Sequence, residues 1–139
     1  MADSPQVQRL KRRLNAIPKA VREATAPGIV AAAEELAALM KRLAPKDTGD
    51  LAESIEVTPP GQPTPAYSQP GGSRVANENE AIVSVGNSKV RYGHLPEYGT
   101  AHAPAQPYFW PSVRLLRKKL QRKIKARLRK AVREGWNKP

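Results

Sequence analysis

Three groups of residues in this 139-residue chain have types and spacings that could carry chemistry. The first is Asp47-Thr48-Gly49, the tripeptide found at the catalytic centre of aspartic proteases. Those enzymes bring two copies together so that paired carboxylates share one proton. Here the tripeptide follows Ala44-Pro45-Lys46 at a helix end, not an apolar strand, and no second copy is present. A homodimer would restore the second carboxylate but not the missing strand. A turn capping a short helical segment is the better reading, because Asp and Thr accept hydrogen bonds from free backbone N–H groups. The second group is His94, Glu97 and His102, a two-histidine, one-carboxylate set in a Gly/Pro-rich stretch. Such a set is a known metal-binding combination. A separation of eight residues matches no helical ligand pair, however, so structural histidines are expected. No Ser/His/Asp order, phosphate-binding glycine loop or dinucleotide fingerprint occurs. The residues argue for no enzyme, no cofactor and no metal.

The third group is basic. Eleven Lys and Arg lie between Arg114 and Arg133. Like charges at i,i+4 oppose an isolated helix by about a few tenths of a kcal/mol per pair. A polyanion or an acidic protein alongside would offset that cost, and DNA phosphates would steepen the salt dependence. Arg117, Lys118, Arg122, Lys125 and Arg129 are the candidate polyanion-contacting residues. A solvated face is the plain alternative. No helix-turn-helix or zinc-finger pattern accompanies the charges, so base readout is not implied. Tyr108-Phe109-Trp110, set among Pro104, Pro107 and Pro111, could be a stacking platform for bases. Just before a helix, it reads better as a plug of core.

These residues need elements to position them. Val7, Leu10, Leu14, Ile17 and Val21 recur at helical spacing, and Ile29, Ala33, Leu36, Met40 and Leu43 continue on one face. Pro18 and Pro27-Gly28 predict breaks, and Pro45 a stop. Ser54 to Val57 alternates as a strand does, and Ala81 to Val85 is the best strand in the chain. Residues 59–73 hold five prolines and three glycines and predict a long loop or arm that cannot form a ladder. Tyr92 to Thr100 predicts a short helix or turn. Val113, Leu116, Leu120, Ile124, Leu128 and Val132 predict a long final helix over 112–135. The expected fold is α+β in a single domain, 1–139. It comprises a helical region over 1–43, strands over 54–100 with a Pro/Gly-rich loop at 58–80, and the basic helix. The small antiparallel sheet is packed by the N-terminal helical region and the long C-terminal helix.

Composition narrows the function classes. Apolar residues make up 40% and aromatics 5%, which predicts a modest core and favours a protein completed by neighbours. With no cysteine, disulfides and thiolate metal sites are excluded. The first residues lack the apolar core of a signal peptide, and the longest apolar stretch is broken by Glu34 and Glu35. A soluble protein made in the cytoplasm, with no membrane contact, is expected. The net charge of +12 is uneven: residues 112–139 hold twelve cations against one acid, whereas 24–111 hold six against nine. That asymmetry points to a polyanion or an acidic partner.

Leu43-Ala44-Pro45-Lys46-Asp47-Thr48-Gly49-Asp50-Leu51 with Ser54-Ile55, then Glu97-Tyr98-Gly99-Thr100, then Ala105-Gln106-Pro107-Tyr108-Phe109 form an ordered set. It resembles the small tail-completion (neck) family of siphophages and prophages, variously labelled head–tail joining or tail terminator proteins. The family's pattern is an alanine-rich helix, an APxDTGxLxxSI segment, a strand, an E-x-GT element and an A-x-P-aromatic segment leading into a last helix. This chain departs from it in a long, proline-rich 58–80 connection and an unusually charged last helix. The resemblance implies a structural virion protein, assembled in the host cytoplasm, that forms a homo-oligomeric ring at the neck. A hexamer is favoured, in contact with tail-tube and head connector proteins. Asp47, Thr48, Gly49, Glu97, Tyr98, Gly99 and Thr100 become candidate inter-subunit or partner contacts, and the 58–80 loop a segment that could order on a neighbour. The rival reading is a basic nucleic-acid-binding protein that uses the last helix for nonspecific phosphate contacts with DNA.

Overall fold

Ser4 starts the first helix. Its hydroxyl accepts from the Val7 N–H at 3.3 Å, and Pro5 occupies the first helical position, where no N–H is needed. The computed structural model describes residues 4–46, 49–101 and 104–137. Helix α1 spans Pro5–Leu43, 39 residues, and ends where Ala44 turns extended ahead of Pro45. A short α2 (Asp50–Glu53) follows, then β1 (Glu56–Thr58), β2 (Ile82–Ser84), a short α3 (His94–Tyr98) and α4 (Phe109–Asn137). The order is that of an α+β fold. Among the described residues no helix is long and apolar enough to cross a membrane.

The breaks expected at Pro18 and Pro27-Gly28 do not occur: α1 runs through both prolines. A mid-helix proline removes one N–H and crowds the preceding turn, and both costs need compensation from outside the helix. Next to Pro27 the helix is also tied to α4. The Ala24 carbonyl, exposed in the turn before the proline, accepts from Arg127 Nε of α4 at 3.2 Å. Gly28 makes room for this contact, since a Cβ there would lie 2.3 Å from Arg127 Cδ. One turn earlier, Thr25 Oγ1 donates to the Val21 carbonyl at 2.6 Å. The Pro-Gly pair is thus a notch that seats an arginine.

Helices α1 and α4 run antiparallel: Arg13 meets Trp136, Ile17 and Ala20 lie against Gly135, and Glu35 meets Lys119 and Lys123. Small residues permit the approach. Ala32, Ala33 and Ala37 of α1 and Ala131 of α4 are all buried. The main core gathers where the C-terminal part of α1 meets α2, the strand ends and the start of α4. It comprises Ala37, Met40, Ala44, Leu51, Ile55, Val85, Val90, Tyr108 and Phe109.

The sheet has two antiparallel strands, with Val57 opposite Val83. Ser54 joins it to α2: its hydroxyl donates to the Leu51 carbonyl at 2.6 Å and accepts from the Gly86 N–H at 3.2 Å. The connection between the strands forms no ladder, as expected, but it does make isolated bridges. Gly61 N–H donates to Ala76, Ala76 N–H to Gln62, and Thr64 N–H to Arg74, at 2.8–3.0 Å. Farther along, Gln69 and Val85 exchange both bonds, at 2.8 and 2.9 Å. All these donors are non-proline residues, and the interleaved Pro63 and Pro65 sit where no donor is required. The arm therefore closes on its own subunit.

Candidate functional site

The segment from Gly93 to Ser112 forms one unit around Glu97. Helix α3 delivers this carboxylate inward, only 8% exposed. Its Oε2 accepts the backbone N–H groups of Tyr108 and Phe109 at 2.8 and 2.9 Å, and its Oε1 accepts that of Trp110 at 3.0 Å. These are donors that the first turn of α4 cannot satisfy within the helix, and the positive end of the helix dipole favours a negative charge there. Charge-assisted bonds of this kind are about twice as strong as neutral ones. Tyr108 completes the unit: fully buried, its hydroxyl donates to the Gly93 carbonyl at 2.8 Å. Burial, and then the nearby Glu97 charge, push the phenol well above its ordinary range. Gly93 is tightly held, because a Cβ there would lie 3.0 Å from the Tyr108 hydroxyl.

The E-x-GT element thus divides its labour. Glu97 faces in. Tyr98 faces out, 69% exposed, and its hydroxyl accepts from Trp110 Nε1 at 2.9 Å. Gly99 ends α3 at φ 77°, ψ 172°, a conformation that essentially only glycine adopts. Thr100 is exposed beyond it. Trp110, roughly two-fifths exposed, forms an apolar rim with Tyr98, and Tyr92 and Leu95 in the same segment are exposed to a similar degree. The aromatic triplet is split by burial: Tyr108 and Phe109 are core, while Trp110 stands at the surface edge-on to Phe109.

The carboxylate considered with His94 and His102 is therefore engaged by backbone donors. His102 lies outside the described residues, as do Asp47 and Thr48 of the D-T-G tripeptide, for which a capping turn is expected. Gly49 is described, and sits at φ 83° immediately before α2. Among the described residues no cluster of three or more His, Cys, Asp or Glu is arranged to hold a metal ion.

The basic helix resolves into two populations. Lys119 and Lys123 donate to the two oxygens of Glu35 at 2.7 and 2.8 Å, which holds that carboxyl down at about 2. With Arg127 on Ala24, these side chains face α1 and bind the two helices together. The outward face is different. At about 100° per residue, Arg114, Lys118, Arg122, Lys125, Arg129 and Arg133 fall within an arc of roughly 100°, opposite the packed face. All six are exposed. Lys118, Arg122, Lys125 and Arg129, expected as polyanion contacts, lie on this ridge, and Arg117 lies at its flank. The Glu35 bridge was not anticipated. Its signal was available in the i,i+4 pair Lys119 and Lys123 and in an acid within an alanine-rich face, but not the pairing of the two helices.

Residues 8–99, which are 92 of the 139, match the model of the HK97-gp10-like family, described as "Bacteriophage HK97-gp10, putative tail-component". The chain belongs to the HK97-gp10-like family. No curated protein and no solved structure matches it. The family match runs from the first turns of α1 to Gly99, so it includes the D-T-G tripeptide and Glu97 but stops before α4. Family membership makes this chain a structural component of a phage tail, and it agrees with the resemblance to the neck proteins.

Proposed function

We propose that this HK97-gp10-like protein is a tail-completion subunit, of the kind labelled head–tail joining or tail terminator. It closes into a ring at the neck between tail tube and head connector, with a hexamer as the favoured size. The observation that carries this reading is the ordered motif set, from the D-T-G tripeptide to the A-x-P-aromatic segment, within a family of tail components. The geometry supports it in a specific way. Glu97 acts from inside by fixing α4 to α3, and that leaves Tyr98, Gly99 and Thr100 presented beside an apolar rim. Exposed Tyr and Trp side chains offer large contact area at low entropic cost. A closed ring needs two different patches on each subunit. In this reading the Tyr98 rim is one patch, and the Asp47-Thr48-Gly49 segment belongs to the other.

Native mass spectrometry of the full chain, alone and with tail-tube protein, tests the ring. Closed oligomers of one size are expected, and Tyr98→Asp should shift them to smaller species while leaving the helical content unchanged. A chain that stays monomeric under every condition and never associates with tube protein would refute the reading.

A further inference from the structure

We infer that the outward ridge of α4 is a binding surface for the phosphate backbone of duplex nucleic acid. The ridge lies beyond the segment that matches the family, so membership in the family does not assign it. Its six cations, with Arg117 at the flank, are exposed and have no hydrogen-bond or ion-pair partner among the described residues. From Arg114 to Arg133 the helix rises about 28 Å. Over that length a duplex carries roughly 16 phosphates.

Three other occupants fit less well. A second copy of this chain supplies too little negative charge. Among its described carboxylates, Glu23, Glu35, Glu78, Glu80 and Glu134 are in ion pairs, and Glu97 is buried under α4. Asp50 already has an interaction, which leaves Glu34, Glu53 and Glu56 to face seven cations. With a net charge of +12 per chain, each added copy also enlarges the repulsion. An anionic membrane would need the apolar face of the helix, and that face is packed against α1 through Leu120, Ala131 and Gly135. An acidic polypeptide meets the charge requirement, but the exposed apolar side chains beside the ridge, Leu115 at one end and Leu128 and Val132 at the other, leave the stretch from Lys118 to Lys125 without an anchor. Dense, regularly spaced phosphates match a ridge of four arginines and two lysines, flanked by Arg117, best. Recognition is of backbone charge, with no base readout implied.

The test is fluorescence anisotropy of the full chain with a nonspecific labelled duplex across a salt series. Wild type is expected to bind at low salt, with log K falling steeply against log salt, by about 0.9 per phosphate contacted. The triple variant Lys118→Gln, Arg122→Gln, Arg129→Gln should lose roughly tenfold or more in affinity and about 3 units of slope. A control with the same charge change elsewhere (Lys41→Gln, Arg42→Gln, Lys89→Gln) should keep wild-type slope. Circular dichroism confirms that each variant is folded, and the wild-type salt slope is read without any variant. Absent or salt-insensitive binding by wild type would overturn the inference, as would equal losses in ridge and control variants. Displacement of the duplex by polyglutamate at equal charge concentration would reassign the ridge to an acidic polypeptide and overturn it too. None of these readouts requires a ring, so a negative result leaves the neck reading standing.

Discussion

At the scale of single residues, Glu97 and Glu35 do opposite kinds of work. Glu97 satisfies three backbone donors in a buried position, and removing it leaves them orphaned. Leaving a buried donor unsatisfied costs about 1–3 kcal/mol. Glu97→Ala should therefore destabilise the fold by about 3 kcal/mol, and Glu97→Gln, which retains an acceptor, by about 1 kcal/mol. Chemical denaturation measures both, and a loss below about 0.5 kcal/mol for the alanine variant would contradict the capping role. Glu35 is partly exposed and works through charge. Lys119 and Lys123 hold its carboxyl at about 2, below the ordinary 4.5, so the ionised form is favoured by folding. The contribution is complete above about 4.5 and is lost as pH falls through about 2. The Tm difference between wild type and Glu35→Gln should accordingly shrink as pH drops through that window, and also at high salt. A difference that stays constant from neutral pH to pH 2 would show that the bridge does not contribute.

At the scale of elements, the two long helices show what periodicity reveals and where it stops. The final helix, its basic character and its first apolar residues were legible. Its later stripe was not, because Leu120, Ile124, Leu128 and Val132 advance by four, and each such step turns about 40° past a full turn. By Leu128 and Val132 the stripe has rotated out of the interface, and both are more than two-fifths exposed. Ala131 and Gly135, which carry no apolar signal worth reading, take the buried places. The same blindness hid the continuity of α1. Prolines predict breaks from local sterics alone, and nothing in the sequence near residue 27 announces an arginine a hundred positions later. The Gly28–Arg127 notch makes a double-mutant prediction. Gly28→Ala alone should be nearly neutral, since about 1 kcal/mol gained in helix propensity is offset by displacing Arg127 from Ala24. In an Arg127→Ala background it should stabilise by about 1 kcal/mol, as denaturant midpoints would show. At the end of α3, Gly99→Ala should cost about 1–3 kcal/mol from backbone strain alone. A neutral Gly99→Ala would mean the turn relaxes freely.

At the scale of the whole molecule, an internal clamp, an external rim and a one-sided charge ridge occupy separate faces. The clamp explains why the E-x-GT and A-x-P-aromatic segments belong together: one supplies the carboxylate and the other the N–H groups it binds. The sequence motifs were legible as an ordered set, but their physical link was not, because Glu97 and Tyr108 are joined by tertiary folding and not by any period. The candidate contacts consequently separate into Glu97, which is buried and positions α4, and Tyr98 and Thr100, which are exposed. We propose, above all, that this tail component completes the tube as a ring at its end. Cryo-imaging of purified tail tubes incubated with the full chain tests it most directly. The prediction is ring-shaped density capping one tube end, lost with Tyr98→Asp. Bare tube ends, or density scattered along the tube walls, would contradict it.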